Sequence, residues 1–205
     1  GKPIRPRHLI AAVSNRIRRA RAMQARFDGR ATGPLRSNPE TGLATRQHVL
    51  QQLDAAAASG RPGGLFFIEI ASALGLREQH GHAAFERLMM QAGQRLAQAG
   101  APHLLARLND NSFLLLAHGI DEETLASMAH ALRDALSARA CMIRDEEPVH
   151  LRGTVGFARL SPRFADAAAA LEAAERTALQ ARLLSAGVAG FVPQEEADAN
   201  ESLAM

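Results

Sequence analysis

Two stretches of this chain bring polar groups to places where they can act on a ligand. The first is Asn109-Asp110-Asn111-Ser112, four turn-forming residues set between Leu104, Leu105 and Leu108 on one side and the apolar run Phe113–Ala117 on the other. That pattern predicts strand, tight turn, strand, with a polar tip projected into solvent or a cleft. The second is Leu65–Ala71, an apolar strand whose one carboxylate, Glu69, stands near its end. The groups on offer are carboxylates and amides. A thiol nucleophile is not among them: the single cysteine, Cys141, lies in a predicted strand as a buried structural thiol. No Cys/His cluster has zinc spacing. Local sequence also allows an ordinary hairpin turn, so the neighbouring segments decide.

Those segments follow in a regular order. A linker rich in Gly, Pro, Ser and Asn covers residues 28–39. A helix is predicted over Thr45–Ala58, with Val49, Leu50 and Leu53 on one face, and Ser59–Gly64 breaks it. After the strand Leu65–Ala71 comes a helix over about Gly81–Ala99, with Phe85, Leu88, Met89, Ala92 and Leu96 inward. The hairpin follows, then a helix over about Asp121–Arg139 opened by three acids, which suit a helix N-terminus. Strands near Ala140–Arg144 and Val149–Ala158, an Ala-rich helix over about Phe164–Ser185 and a last strand over about Ala189–Val192 complete the pattern. Residues 193–205 read as a flexible acidic tail. The expected class is α+β, a largely antiparallel sheet with flanking helices.

The order strand, helix, hairpin, with a lone acid on the first strand, resembles the GGDEF domain of diguanylate cyclases, which join two GTP molecules into cyclic di-GMP. Thr41-Gly42-Leu43-Ala44-Thr45-Arg46 is similar to the family's T-G-L-x-N-R opening. Glu69 to His82 aligns without a gap on D-x-D-x-F-K-x-I-N-D-x-x-G-H. Thr154-Val155-Gly156-Phe157-Ala158 resembles the S-I-G-V-A strand, and Ala174-Glu175 through Ala181-Arg182 resembles A-D-x-x-x-Y-x-A-K. The resemblance covers roughly Asn38 to Val192, with the domain proper at 40–192. It sharpens the fold to the ferredoxin-like palm of nucleotide cyclases.

The signature G-G-[DE]-E-F reads here Asn109-Asp110-Asn111-Ser112-Phe113, and only the Phe matches. The resemblance implies magnesium held by one carboxylate from the first strand and one from the tip. Those positions are Glu69 and the neutral Asn111, and the next acid, implicated in catalysis, corresponds to Ser112. Asn109 and Asp110 replace two glycines that let the tip approach phosphate. The Asn that reads guanine corresponds to Arg77, the Asp that assists it to Glu86, and the phosphate-binding Lys to Arg182. Gly100 and His103 take the places of the Arg and Asp of the inhibitory R-x-x-D. His82 falls on the family's G-H, which implies a structural role at a helix start. From these departures the chain is expected not to be an enzyme but a catalytically inactive GGDEF-type signalling module, with no cofactor and with Mg and GTP only as residual binding. A GTP-binding regulator without turnover and a weak diguanylate cyclase remain as alternatives.

Charge and the N-terminus bound the partners. Residues 1–36 hold ten Lys and Arg against one acid, Asp28, while the 205-residue chain has a formal net charge of +3, so the rest of the chain is net acidic. This arm has one aromatic, Phe27, and no nucleic-acid-binding module, so nucleic acid is not expected as a partner. Lys2-Pro3 with the segment to Val13 resembles the end of a response-regulator receiver domain, where Lys-Pro precedes the last helix. Ile10, Val13, Ile17, Ala20 and Phe27 repeat as a short heptad seam in residues 1–27. Two readings stay open: a helix packed on its own domain, or one paired in a homodimer that transmits a receiver's state. The resemblance further implies a receiver upstream and an EAL or other signalling domain downstream. No apolar run reaches the ~18 residues of a membrane span, and with the lone cysteine the expected compartment is a reducing cytoplasm.

Overall fold

In the computed structural model, residues 35–144, 147–160, 164 and 166–192 are described. The heptad seam, the receiver-like segment and the acidic tail lie outside them. Helix α1 (Arg46–Ser59) starts on Thr45, whose side-chain oxygen accepts from the His48 N–H, and ends at Gly60 with φ 66°. The cap satisfies one otherwise orphaned N–H, and glycine takes the left-handed exit without a Cβ clash. Strand β1 (Gly63–Ile70) comes next.

A short helix that the sequence pattern does not predict, α2 (Ala73–His80), follows β1. It buries none of its residues, so it has no apolar stripe to read. Gly81, with φ 86°, separates it from α3 (His82–Ala99). His82 is therefore the first residue of α3, at the loop-to-helix junction.

Strands β2 (Leu104–Asn109) and β3 (Ser112–His118) form the hairpin, and α4 (Glu122–Ser137) is capped by Asp121. The predicted strand over Val149–Ala158 divides in two. Pro148–Val149 (β5) pairs with Cys141–Met142 (β4) in a separate ribbon, while Gly153–Arg159 (β6) joins the main sheet. Helix α5 (Ala167–Ala181) and strand β7 (Val188–Phe191) complete the fold.

The five-stranded sheet has the order β2-β3-β1-β6-β7. All its pairs are antiparallel except β6–β7, which is parallel. Both faces are covered, which is why β1 reads as a continuous apolar run rather than an alternation. Phe66, Ile68 and Ile70 face a core with Phe85, Leu88 and Leu132, under α3 and α4. Leu65 and Phe67 face the opposite core with Val49, Leu53 and the alanines of α5. The architecture is α+β, a mixed sheet with flanking helices.

The Ala-rich composition of α5 has a steric cause. A Cβ on Gly156 would stand 2.1 Å from the Ala178 backbone nitrogen and 2.6 Å from the Ala174 carbonyl oxygen. Helix α5 thus rests backbone to backbone on β6, and only small residues allow that approach. This contact sets where Glu175 and Arg182 stand relative to the end of β1.

Candidate functional site

The hairpin is tighter than its four polar residues suggest. Asn109 and Ser112 pair directly, leaving Asp110 and Asn111 as the turn, with a register shift between Arg107 and Asn109. Ser112 is buried, and its hydroxyl donates to Asn109 Oδ1 at 2.5 Å. Glu69 pairs through its backbone with Ser112 on one side and Thr154 on the other. The lone strand acid and the hairpin tip therefore meet at one end of the sheet.

Arg182, Asn111 and Arg77 each have an internal partner there. Arg182, just past α5, donates through Nη2 to Glu69 Oε1. Asn111 Nδ2 donates to the Ile70 carbonyl at 3.1 Å, and the Ile70 amide donates to the Asn111 carbonyl at 2.8 Å. Arg77 on α2 pairs with Asp110 Oδ2 at 3.2 Å and stacks on the Phe85 ring, 4.5 Å from its centre. Its Nε is buried without a hydrogen-bond partner. The ring face beneath the guanidinium offsets part of that cost.

Arg107 is a central residue that sequence reasoning passed over. Its Nη1 and Nη2 donate to Glu86 Oε2 and Oε1 at 2.7 and 3.1 Å, a two-toothed contact from β2 to α3. The same guanidinium donates to the carbonyls of Asp110 (2.5 Å) and Asn109 (3.2 Å). The hydrogen bond from Arg107, opposed in part by burial, holds the Glu86 carboxyl below its ordinary range. The available signal was a lone cation on an apolar strand two residues before a turn.

Glu175 was singled out only as part of a motif. It is half-buried on α5, and its carboxyl is pushed up by burial first, then by the charges of Glu69 and Glu172. Sequence could not show that α5 brings this second acid toward Glu69.

Beside the hairpin lies a cleft of about 530 Å3, lined by Leu43, Thr45, Arg46, Glu86, Met89, Arg107 and Phe113 among others. Arg46, Arg107 and residues Leu108–Asn111 line an adjoining open hollow. Glu86 thus reaches the cleft, whereas Arg77 is turned to the tip and does not line it. Gly100 and His103 sit at the other end of the hairpin. A Cβ on Gly100 would meet Leu115 Cδ1 at 2.5 Å, so a larger side chain there must displace the core. Burial, then the charge of His118, lowers the His103 pKa.

Among the described residues no helix is long and apolar enough to cross a membrane. Solved structures similar to this chain share its fold. The GGDEF domain of DgcB from Caulobacter crescentus, solved in complex with c-di-GMP, superposes with a TM-score of 0.69 at 19% identity, over 78% of this chain and 95% of that one. The FimX GGDEF domain from Pseudomonas aeruginosa gives 0.67 at 22% identity, over 77% and 99%. Among curated relatives, an uncharacterized 76.5 kDa protein of Thiocystis violacea is 30% identical over 186 residues, 88% of this chain but 26% of its own length. An uncharacterized protein of Mycobacterium tuberculosis is 32% identical over 100 residues, 47% of this chain and 16% of its own length. The chain thus spans a minor part of these relatives.

The family model for the diguanylate cyclase GGDEF domain matches residues 38–187. This match overturns the expectation, drawn from Asn111 and Ser112, that the chain is not an enzyme: the family is one of enzymes, and loss of two acids at the tip does not remove the chain from it. The residues that build the palm, from the Thr41–Arg46 opening to the α5–β6 contact, place the whole of 38–187 in one family: this chain belongs to the GGDEF domains of the diguanylate cyclases.

Proposed function

We propose that this domain is a regulatory GGDEF module of bacterial cyclic di-GMP signalling that takes GTP into the cleft beside the β2–β3 hairpin and condenses it only slowly. The observation that carries this reading is the pairing of Arg107 with Glu86 in the lining of a nucleotide-sized cleft; Arg182 and Glu69 pair outside that lining, at the sheet end where Glu69 meets Ser112 of the hairpin. Arg107 shapes the hairpin tip, Glu86 offers a carboxylate to the cleft, and Arg182 offers a guanidinium suited to phosphate. Slow condensation follows from the donor set. Asn111 and Ser112 stand where the signature is acidic, and the loss of even one group that stabilises a transition state typically costs about 2.7–4 kcal/mol.

In this reading the degenerate tip makes nucleotide occupancy, rather than product, the main output. A cytoplasmic homodimer paired through the Ile10, Val13, Ile17, Ala20 and Phe27 seam, a receiver upstream and an EAL or other signalling domain downstream complete the proposal. The test is to incubate the full chain with GTP and magnesium, measure cyclic di-GMP by chromatography, and measure GTP affinity by calorimetry. GTP binding with slow product formation supports the reading. Absence of GTP binding would sink it, and turnover matching an intact-signature cyclase would contradict the slow step.

A further inference from the structure

The family's chemistry draws on magnesium held by carboxylates, and the residues at this sheet end do not fit that ion. Magnesium takes six oxygen ligands in near-octahedral geometry, usually with one or two carboxylates. Here the Glu69 carboxylate is engaged by Arg182. The neighbouring main-chain oxygen, that of Ile70, accepts the Asn111 amide at 3.1 Å. A hydrogen-bond donor and a cation compete for the same oxygen. The Ser112 hydroxyl is turned to Asn109. Among the described residues, no group of three or more His, Cys, Asp or Glu is placed to hold a metal ion.

Resting on the reading of the cleft as a GTP site, we propose that this chain binds its nucleotide polyphosphate without a divalent cation, Arg182 and the Asn111 amide supplying the positive and hydrogen-bonding groups in its place. Arg182 is half-exposed, and its contact with Glu69 uses Nη2. A guanidinium carries five N–H donors, so a phosphate can join or replace Glu69 without a change in protonation. The Asn111 amide carries two N–H donors, of which the Ile70 contact occupies one. Neutral Asn111 also removes a charge that would repel phosphate once no ion lies between them.

Calorimetry of the full chain with a non-hydrolysable GTP analogue, once in EDTA and once in excess magnesium chloride, tests this directly. The expected affinity in excess magnesium is no higher than in EDTA, because magnesium ties up the polyphosphate rather than adding a ligand to the site, and Arg182→Ala weakens binding in EDTA by about tenfold, with Arg182→Lys recovering part. Binding about tenfold tighter with magnesium overturns the inference while leaving the GTP reading intact. An Arg182→Ala chain that binds as tightly as the parent also overturns it. Absence of binding in both buffers overturns the inference and the GTP reading together. The metal alone gives a separate readout: manganese titrated into the protein and followed by electron paramagnetic resonance is expected to stay free. With Asn111→Asp and Ser112→Glu together it is expected to bind. Manganese binding to the parent chain at micromolar concentration overturns the inference.

Discussion

The side chain of Asn111 and the backbone of Ile70 hold each other: the amide nitrogen of Asn111 donates to the Ile70 carbonyl at 3.1 Å, and the Ile70 N–H donates to the Asn111 carbonyl at 2.8 Å. The hairpin tip is thereby tied to the end of β1. Asn111→Ala removes the first bond and deprives the carbonyl of the buried Ile70 of that donor, so it should destabilise the domain by about 1–3 kcal/mol. Urea unfolding checks this, with a lowered midpoint at unchanged slope. No change in midpoint would show that the tie contributes nothing.

Arg107 binds four acceptors on two elements, so its loss should be felt more widely. Arg107→Met keeps most of the stem and should cost about 1–2 kcal/mol at neutral pH. The effect is pH-dependent in a defined direction. Glu86 has its folded pKa depressed, chiefly by the Arg107 hydrogen bond. Its contribution is therefore present above its unfolded value, near 4.5, and is lost as pH falls through the folded one. The gap between parent and variant should narrow as pH falls below 4.5 toward the folded value. A gap that stays constant into acid would mean that the Glu86 pairing is not its source.

Glu175 should behave in the opposite sense. Its folded pKa is raised, by burial first and then by Glu69 and Glu172. Between the unfolded value, near 4.5, and the folded one, the native state binds more protons, so stability falls as pH rises through that window. Glu175→Gln should stabilise the domain at neutral pH and leave it unchanged well below pH 4.5. Thermal melts across that range are the measurement, and equal melting shifts at both ends would refute the assignment.

Much of the frame was legible because it rests on periodicity and caps. The apolar faces of α1 and α3, the Asp121 cap and the polar break at Asn109–Ser112 are local signals. The site was legible only as positions. That Glu69, the tip and Arg182 gather at one sheet end follows from strand order and from the α5–β6 contact, which no local pattern encodes. Arg107 went unread because a cation on an apolar strand has no partner until α3 supplies Glu86. Helix α2 went unread because none of its residues is fully buried, and β5 because two residues carry no alternation. The tip residues raise the opposite problem: the expectation of a non-enzyme rests on Asn111 and Ser112 alone, although the rest of the chain resembles an enzyme family.

Gly156 is the position where a single added carbon should do most harm. It lies mid-strand in β6, paired with Phe67 of β1 and Ala189 of β7, and α5 crosses directly over it. A Cβ there would stand 2.1 Å from the Ala178 nitrogen and 2.6 Å from the Ala174 carbonyl oxygen, both backbone atoms of a helix that cannot give way locally. Gly156→Ala must therefore lift α5 as a unit, and overpacking of this kind costs about 3 kcal/mol. Lifting α5 also moves Arg182 away from Glu69, so GTP affinity should fall along with stability even at temperatures where the variant remains folded. Gln98→Ala, at an exposed position of α3 on the other side of the sheet, serves as the control and should leave both nearly unchanged. Unfolding midpoints and calorimetry on the two variants decide the point. A Gly156→Ala chain with parental stability would show that α5 does not rest on β6 as closely as 2.1 Å implies.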